Sequence, residues 1–199
     1  TDLDNEGWTD LVVIGEGMPI RFFKNVKGTF EDVTAGSGIS DQIGWWNSIA
    51  GGDFDNDGDI DYLVGNLGKN SFHVASDQYP LSTYAKDFDN NRSLDAIVTI
   101  YLKDQQGVKK EYTAMNRDDI VSQLPIVRKK FLKYKEFAKA DIHQIFTVEE
   151  MKGALILRAN NFKTCLLKNN GNGKFELNAL PDVAQVAPLY GMVVDRLYG

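Results

Sequence analysis

The 199-residue sequence is poor in the residues that build soft-metal and disulfide sites: one cysteine, Cys165, and two histidines, His73 and His143. An internal disulfide framework and a cysteine-based zinc cluster are thereby excluded, and little is left for a histidine-rich metal site. No apolar run approaches the roughly 18 residues that a membrane-spanning helix needs. No charged, apolar, small-residue leader pattern opens these residues, so no signal peptide is expected within them. A basic excess is missing too. The chain carries 22 Lys+Arg against 28 Asp+Glu, a net charge of −6, which argues against nucleic acid as a partner. What remains, 43% apolar and 25% charged, is ordinary globular composition.

The distribution of acid says more than its total. Three nine-residue windows, 2–10, 53–61 and 87–95, hold 11 of the 20 aspartates. They read DLDNEGWTD, DFDNDGDID and DFDNNRSLD. Each has Asp at positions 1, 3 and 9, and an oxygen donor at position 5: Glu6, Asp57 or Asn91. Alternate residues of a tight loop point at one centre, and Gly7 or Gly58 at position 6 allows the left-handed turn that wraps them around it. Such crowding of like charge is costly unless a cation neutralises it. Hard oxygen ligands at this density suit Ca2+ better than magnesium, which demands a stricter octahedron.

The expected ligands in 53–61 are Asp53, Asp55, Asp57 and Asp61, with the carbonyl of Asp59. In 2–10 they are Asp2, Asp4, Glu6 and Asp10, with the carbonyl of Trp8; the longer Glu6 is expected to distort this loop slightly. In 87–95 they are Asp87, Asp89, Asn91 and Asp95, with the carbonyl of Ser93. There Arg92 replaces the glycine. A non-glycine residue at positive φ costs about 1–2 kcal/mol and adds a cation beside the site, so this loop is expected to bind weakly or not at all.

Two other loop types share part of this pattern. An EF-hand or dockerin loop also begins D-x-D-x-D-G, but needs an acid at position 12 and a helix afterwards. Position 12 is Val13, Val64 or Val98, and the residues after position 9 (LVVI, YLVG, AIVT) read as buried strands. Solvated Asp/Asn-rich turns are the plainer alternative; three copies with identical donor positions disfavour it.

The repetition continues past the loops. LVVIGEG is followed by RFFKNVKGTFEDVT, DYLVGNLG by KNSFHVAS, and LDAIVTIYLKDQQG by KKEYTAMN. CLLKNNGNGKFELNAL matches RFFKNVKGTFEDVT as strand, Asn-Gly turn and strand. SIAGGDFD, STYAKDFD and YGMVVD read as strands approaching acidic positions. Each unit is then a meander of about four strands, as propeller blades are.

GGDFDNDGDIDYLVGN, FFKNVKGTFEDVT and LLKNNGNGKF resemble FG-GAP/VCBS repeats, the calcium-loop blades of integrin-alpha-like β-propellers. The stretch from NRDDIVSQLP to ALPDVAQVAPLYG further resembles bacterial relatives of the cartilage acidic protein group. The resemblance implies an all-β fold, a partial propeller of about three to four blades, with calcium on the Asp loops. Expected blades cover about 1–40, 41–80 and 81–180, with a further blade beginning at 181–199. Asp195 would open its loop, although Leu197 does not fit position 3. Family propellers usually have about seven blades, so the sequence reads as part of a longer protein or of an assembly covering exposed sheet edges.

Residues 117–160 read as two or three short helices inserted in the third blade. Val127, Phe131, Tyr134 and Ala138 recur at helical spacing, Ile120 and Leu124 form a shorter pair, Pro125 separates them, and Thr147 with Glu150 forms a capping box. Its basic face reads either as a docking surface or, preferred, as a solvated face. Trp45 and Trp46 read as core rather than as sugar-stacking rings. Cys165 is expected buried and inert. His143 lies beside Asp141 in the insert and His73 is expected in a strand, but no nucleophile motif accompanies either, so no catalytic residue is assigned. The resulting expectation is a calcium-binding module of a secreted or surface protein, engaging protein or glycan. The alternative is a carbohydrate-active enzyme on the same scaffold.

Overall fold

The computed structural model describes residues 1–195, so Leu197 and the end of the expected further blade lie outside the described residues. The chain is mostly β, with four antiparallel sheets, none of them closed. It divides into two compact units, residues 1–72 with 159–199 and residues 73–158. Among the described residues no helix is long and apolar enough to cross a membrane.

The first unit begins with β1 (Leu11–Val13), β2 (Glu16–Pro19), β3 (Arg21–Val26) and β4 (Thr29–Asp32). It continues with β5 (Ile43–Trp45), β6 (Ser48–Gly52) and β7 (Asp61–Gly65). Strands β1, β3 and β4 form one sheet and β2 pairs with β5. Val26 pairs with Thr29, leaving a two-residue turn of Lys27 and Gly28, both at positive φ (53° and 94°). That is the backbone a tight hairpin needs. Strands β6 and β7 pair from Ser48↔Gly65 to Gly52↔Asp61, so the second acidic loop is the long connection of a hairpin. The core gathers Ile20, Phe22, Trp46, Tyr62, Val64, Leu167 and Phe175, and the Phe22 and Phe175 rings stack at 4.2 Å.

The second unit holds β8 (Leu81–Lys86), β9 (Asp95–Lys103) and β10 (Lys109–Thr113). Five short helices follow: α1 (Arg117–Gln123), α2 (Ile126–Lys130), α3 (Tyr134–Phe137), α4 (Ile142–Ile145) and α5 (Val148–Met151). β11 (Leu155–Ala159) completes a sheet ordered β10-β9-β8-β11. The helices bury Ile120, Leu124, Val127, Phe137, Ile142, Ile145 and Phe146 with Tyr84 and Ile97 of the sheet. The Thr147–Glu150 capping box is formed, and Asp141 with Gln144 makes a second one.

Several expectations are corrected. The hairpin of β12 (Cys165–Asn169) and β13 (Phe175–Ala179) does not complete a blade over 81–180. It adds to β7, giving the order β13-β12-β7-β6. The alternating burial of β12 and the doubly flanked β7 select that pairing, because both strands then lie inside one sheet. KNSFHVAS and the described YGMVVD form no strand, so His73 does not lie in one. The helical stripe breaks after Lys130: Phe137 and Ala140 are buried where Tyr134 and Ala138 are exposed. Trp46 is buried and Trp45 half-buried. Cys165 is buried, which pushes its thiol up to about 11, in keeping with an inert side chain.

Gly44 lies where any Cβ would run into the Trp46 ring, whose Nε1–H donates to the Met18 carbonyl at 3.0 Å. Gly44→Ala should therefore destabilise by about 1–3 kcal/mol through overpacking. Gly36→Ala, at a site with open space, should stay within about 0.5 kcal/mol. Denaturant melts of the two variants compare them directly.

Candidate metal centre

The three acidic loops share one backbone. Position 4 is at positive φ in each (Asn5 58°, Asn56 60°, Asn90 60°), as is position 6 (Gly7 93°, Gly58 94°, Arg92 70°). Asparagine is among the few residues that tolerate this region, which explains the recurring Asn that donor spacing alone does not. Contrary to expectation, the first loop keeps this backbone with Glu6 in it; the Glu6 carboxylate lies 3.0 Å from the Lys24 ammonium. Arg92 adopts the glycine conformation rather than abolishing it.

The same hydrogen bonds recur in each loop. The position-1 carboxylate accepts from the position-6 N–H: Asp2 from Gly7 at 2.7 Å, Asp53 from Gly58 at 3.2 Å, Asp87 from Arg92 at 2.8 Å. The position-9 carboxylate accepts from the position-2 N–H: Asp10 from Leu3 at 2.7 Å, Asp61 from Phe54 at 3.3 Å, Asp95 from Phe88 at 3.0 Å. Asp10, Asp61 and Asp95 are buried at the strand entrances. A strand, not a helix, follows each loop.

These bonds bring positions 1, 3 and 9 together. Asp2, Asp4 and Asp10 form one group, Asp53, Asp55 and Asp61 a second, and Asp87, Asp89 and Asp95 a third; within each, one oxygen per residue lies within 4.8 Å of the others. The position-5 side chains are engaged elsewhere: Asp57 accepts from the Asp59 N–H at 2.9 Å and Asn91 from the Ser93 N–H at 2.7 Å. Asp59 accepts from the Asn5 side-chain amide at 2.7 Å, tying the first loop to the second. Trp8, at position 7 of the first loop, has an exposed side chain, so any ligand role is its carbonyl's.

The donor set suits a hard cation. Beyond the convergence of carboxylates, Asp53 Oδ1 is buried and meets no hydrogen-bond partner. An orphaned, buried carboxylate oxygen is costly without a cation.

Lys24, Asn25, Lys168 and Asn169 escape recognition in the sequence as parts of these sites. The Asn25 N–H donates to Asp10 at 2.7 Å and the Asn169 N–H to Asp61 at 2.8 Å. Their side-chain amides donate to the position-8 carbonyls of Thr9 and Ile60. Their side-chain oxygens accept from hairpin glycines 28 and 171. The preceding lysines reach the position-3 carboxylates: Lys24 Nζ lies 2.5 Å from Asp4 and Lys168 Nζ 2.6 Å from Asp55. The available signal was the Lys-Asn pair common to FFKNV and LLKNN.

Loop 87–95 is built differently. Extending the β9–β10 register places Arg117 opposite Asp95, but the strand ends at Thr113 and Arg117 opens α1, its Nε–H donating to the Phe131 carbonyl. The Ala96 N–H donates instead to the Gln123 side chain. Burial, together with Asp89 and Asp87, raises the Asp95 carboxyl above its usual range, against the Phe88 N–H that lowers it. The Lys168 ammonium holds Asp55 below that range. A separate buried carboxylate, Glu111, accepts from Thr99 at 2.5 Å and from Tyr84 at 3.1 Å; it ties β8, β9 and β10 together.

Residues 2–64 match the family described as FG-GAP-like repeat, a span that takes in the first two loops and ends in β7. No curated protein and no solved structure matches the chain.

Two outcomes follow. Arg92→Gly relieves about 1–2 kcal/mol of left-handed strain, offset by about 0.5–1 kcal/mol of glycine flexibility. It should raise stability by up to about 1.5 kcal/mol in a denaturant melt. In chelator, the raised Asp95 contributes stability that is present below the unfolded carboxylate pKa and lost as pH rises through its folded value. Asp55, with its lowered pKa, contributes stability present above the unfolded value and lost as pH falls through the folded one. Asp95→Asn should therefore raise the chelated melting temperature at pH 7 and flatten the gain seen on acidification, whereas Asp55→Asn should lower it at pH 7.

Proposed function

We propose that the chain is a calcium-stabilised binding module, built from propeller-type blades of FG-GAP repeats and acting as an adhesion or ligand-binding scaffold outside the cytoplasm. The observation that carries this reading is the triplicate convergence of carboxylates, with one buried oxygen left unpartnered at Asp53. The match of residues 2–64 supports the repeat family. The finer affiliation, with bacterial relatives of the cartilage acidic protein group, belongs to the same proposal.

Under this reading Asp2, Asp4 and Asp10 hold one ion, Asp53, Asp55 and Asp61 a second and, more weakly, Asp87, Asp89 and Asp95 a third. The position-7 carbonyls, and the position-5 side chains once turned from their present partners, complete the shells. Calcium takes six to eight oxygens at about 2.3–2.6 Å and tolerates such irregular sets better than magnesium. The ion's role is structural: it cancels the repulsion at each strand entrance and fixes the turn. Extracellular modules work with Kd values of about 10⁻⁴–10⁻³ M, which matches millimolar calcium and carries the proposed location. For the ligand, the second unit offers a groove of about 650 Å³ lined by Tyr112, Arg117, Tyr134, Phe137, Lys139 and Gln144. Its mixture of rings and cations suits an acidic glycan or peptide segment.

At about 2 mM calcium and a Kd near 10⁻⁴ M, each ion adds about 1.8 kcal/mol, or about 4–7 °C for a chain of this size. Calorimetric melts with calcium and with chelator should differ by at least that much. Asp55→Ala should remove more of the increment than Asp89→Ala. Superimposable melts would overturn the calcium role.

A further inference from the structure

Two lysines stand at the same place in two separate sheets. Lys24 is the fourth residue of β3 and Lys168 the fourth of β12. Continuing the registers Leu11↔Phe23 and Tyr62↔Leu167 by one residue sets each lysine opposite the position-9 aspartate of its loop, Asp10 or Asp61. Each is followed by an asparagine whose N–H is bonded to that same aspartate, so the backbone fixes where the lysine emerges. Both ammonium groups then reach the position-3 carboxylate, Asp4 at 2.5 Å and Asp55 at 2.6 Å. The two strands share little else in sequence, RFFKNV against CLLKN, so the coincidence lies in the Lys-Asn pair and its job.

We infer that Lys24 and Lys168 are built-in counter-cations: each holds its acidic loop together when no metal is bound, and each weakens divalent binding by lending a positive charge to a ligand carboxylate. The inference rests on the calcium reading above and deepens it by naming what sets the affinity. One positive charge directly on a ligand carboxylate removes part of the negative field that a divalent ion would otherwise meet. The same charge relieves repulsion among the three carboxylates when they face each other alone. The lysines are positioning residues, acting through Asp4 and Asp55. Loop 87–95 shows the alternative: the strand that would carry the lysine has turned into α1, and Lys86, opposite Asp95 on β8, gives its ammonium to the Glu150 and Lys152 carbonyls.

The test uses the full chain, with Lys168→Gln, Lys24→Gln and the charge-conserving Lys168→Arg. Calcium binding is read by isothermal titration calorimetry and stability by melts in chelator. Each Gln variant should bind calcium about 3–10-fold more tightly and melt lower in chelator, while Lys168→Arg stays near the parent in both. A merely structural lysine would lower the melting point and leave affinity unchanged or weakened. If the parent binds calcium and both Gln variants bind equally or more weakly, the counter-cation role is overturned and the calcium reading stands. If the parent does not bind but the Gln variants do, the counter-cation role stands and the calcium reading of the native chain falls. If none binds, both fall. Lys24→Gln provides the same comparison at the other loop should Lys168→Gln fail to fold.

Discussion

Like-charge repulsion at the strand entrances is the constraint around which this protein is organised. Three times the chain brings three carboxylates to within 4.8 Å of one another at the point where a loop becomes a strand. Backbone N–H groups absorb part of the charge, as they do for Asp2, Asp53 and Asp87. Left-handed residues at positions 4 and 6 point those N–H groups inward. In the first unit a lysine and an asparagine from the adjacent strand complete the arrangement. Loop, strand start and neighbouring hairpin are therefore one cooperative element, and perturbing the charge at its centre is felt along the sheet.

The two units meet that constraint in different ways. In the first, β3 and β12 run far enough to lie beside the loop and deliver their Lys-Asn pair. In the second, β10 stops at Thr113, and the space is taken by helices whose apolar side chains, from Ile120 to Phe146, pack on Tyr84 and Ile97. Gln123 supplies one hydrogen bond to the strand start, while Lys86, the register partner of Asp95 on β8, gives its ammonium to the Glu150 and Lys152 carbonyls, and the buried Asp95 keeps a raised pKa. The helical insertion thus gains an apolar core and leaves its acidic loop with less internal neutralisation.

Legibility in the sequence followed the range of the interactions. The Asp pattern, the strands after each loop, the capping box at Thr147 and the burial of Ile120, Leu124 and Cys165 are local or near-local, and each could be read from spacing and residue type. The place of Glu6 is not legible within its loop because its partner, Lys24, lies 18 residues away, on the third strand after the loop. KNSFHVAS has apolar residues in an alternating arrangement, but Phe72 and Val74 are both exposed, so no sheet face is buried that would hold the segment as a strand. The expected stripe at Val127, Phe131, Tyr134 and Ala138 was broken by the turn after Lys130, which rotated Phe137 and Ala140 inward instead.

The amino-acid order alone determined where the carboxylates converge, since alternate donors and left-handed positions within nine residues leave the loop few other shapes. Only the tertiary structure decided which strand lies beside each loop. Pairing β7 with a hairpin about 100 residues further on depends on the burial of whole sheet faces, a sum over distant residues that no short window contains. That choice of neighbour decides whether a loop meets Lys168, as 53–61 does, or the end of a helix, as 87–95 does.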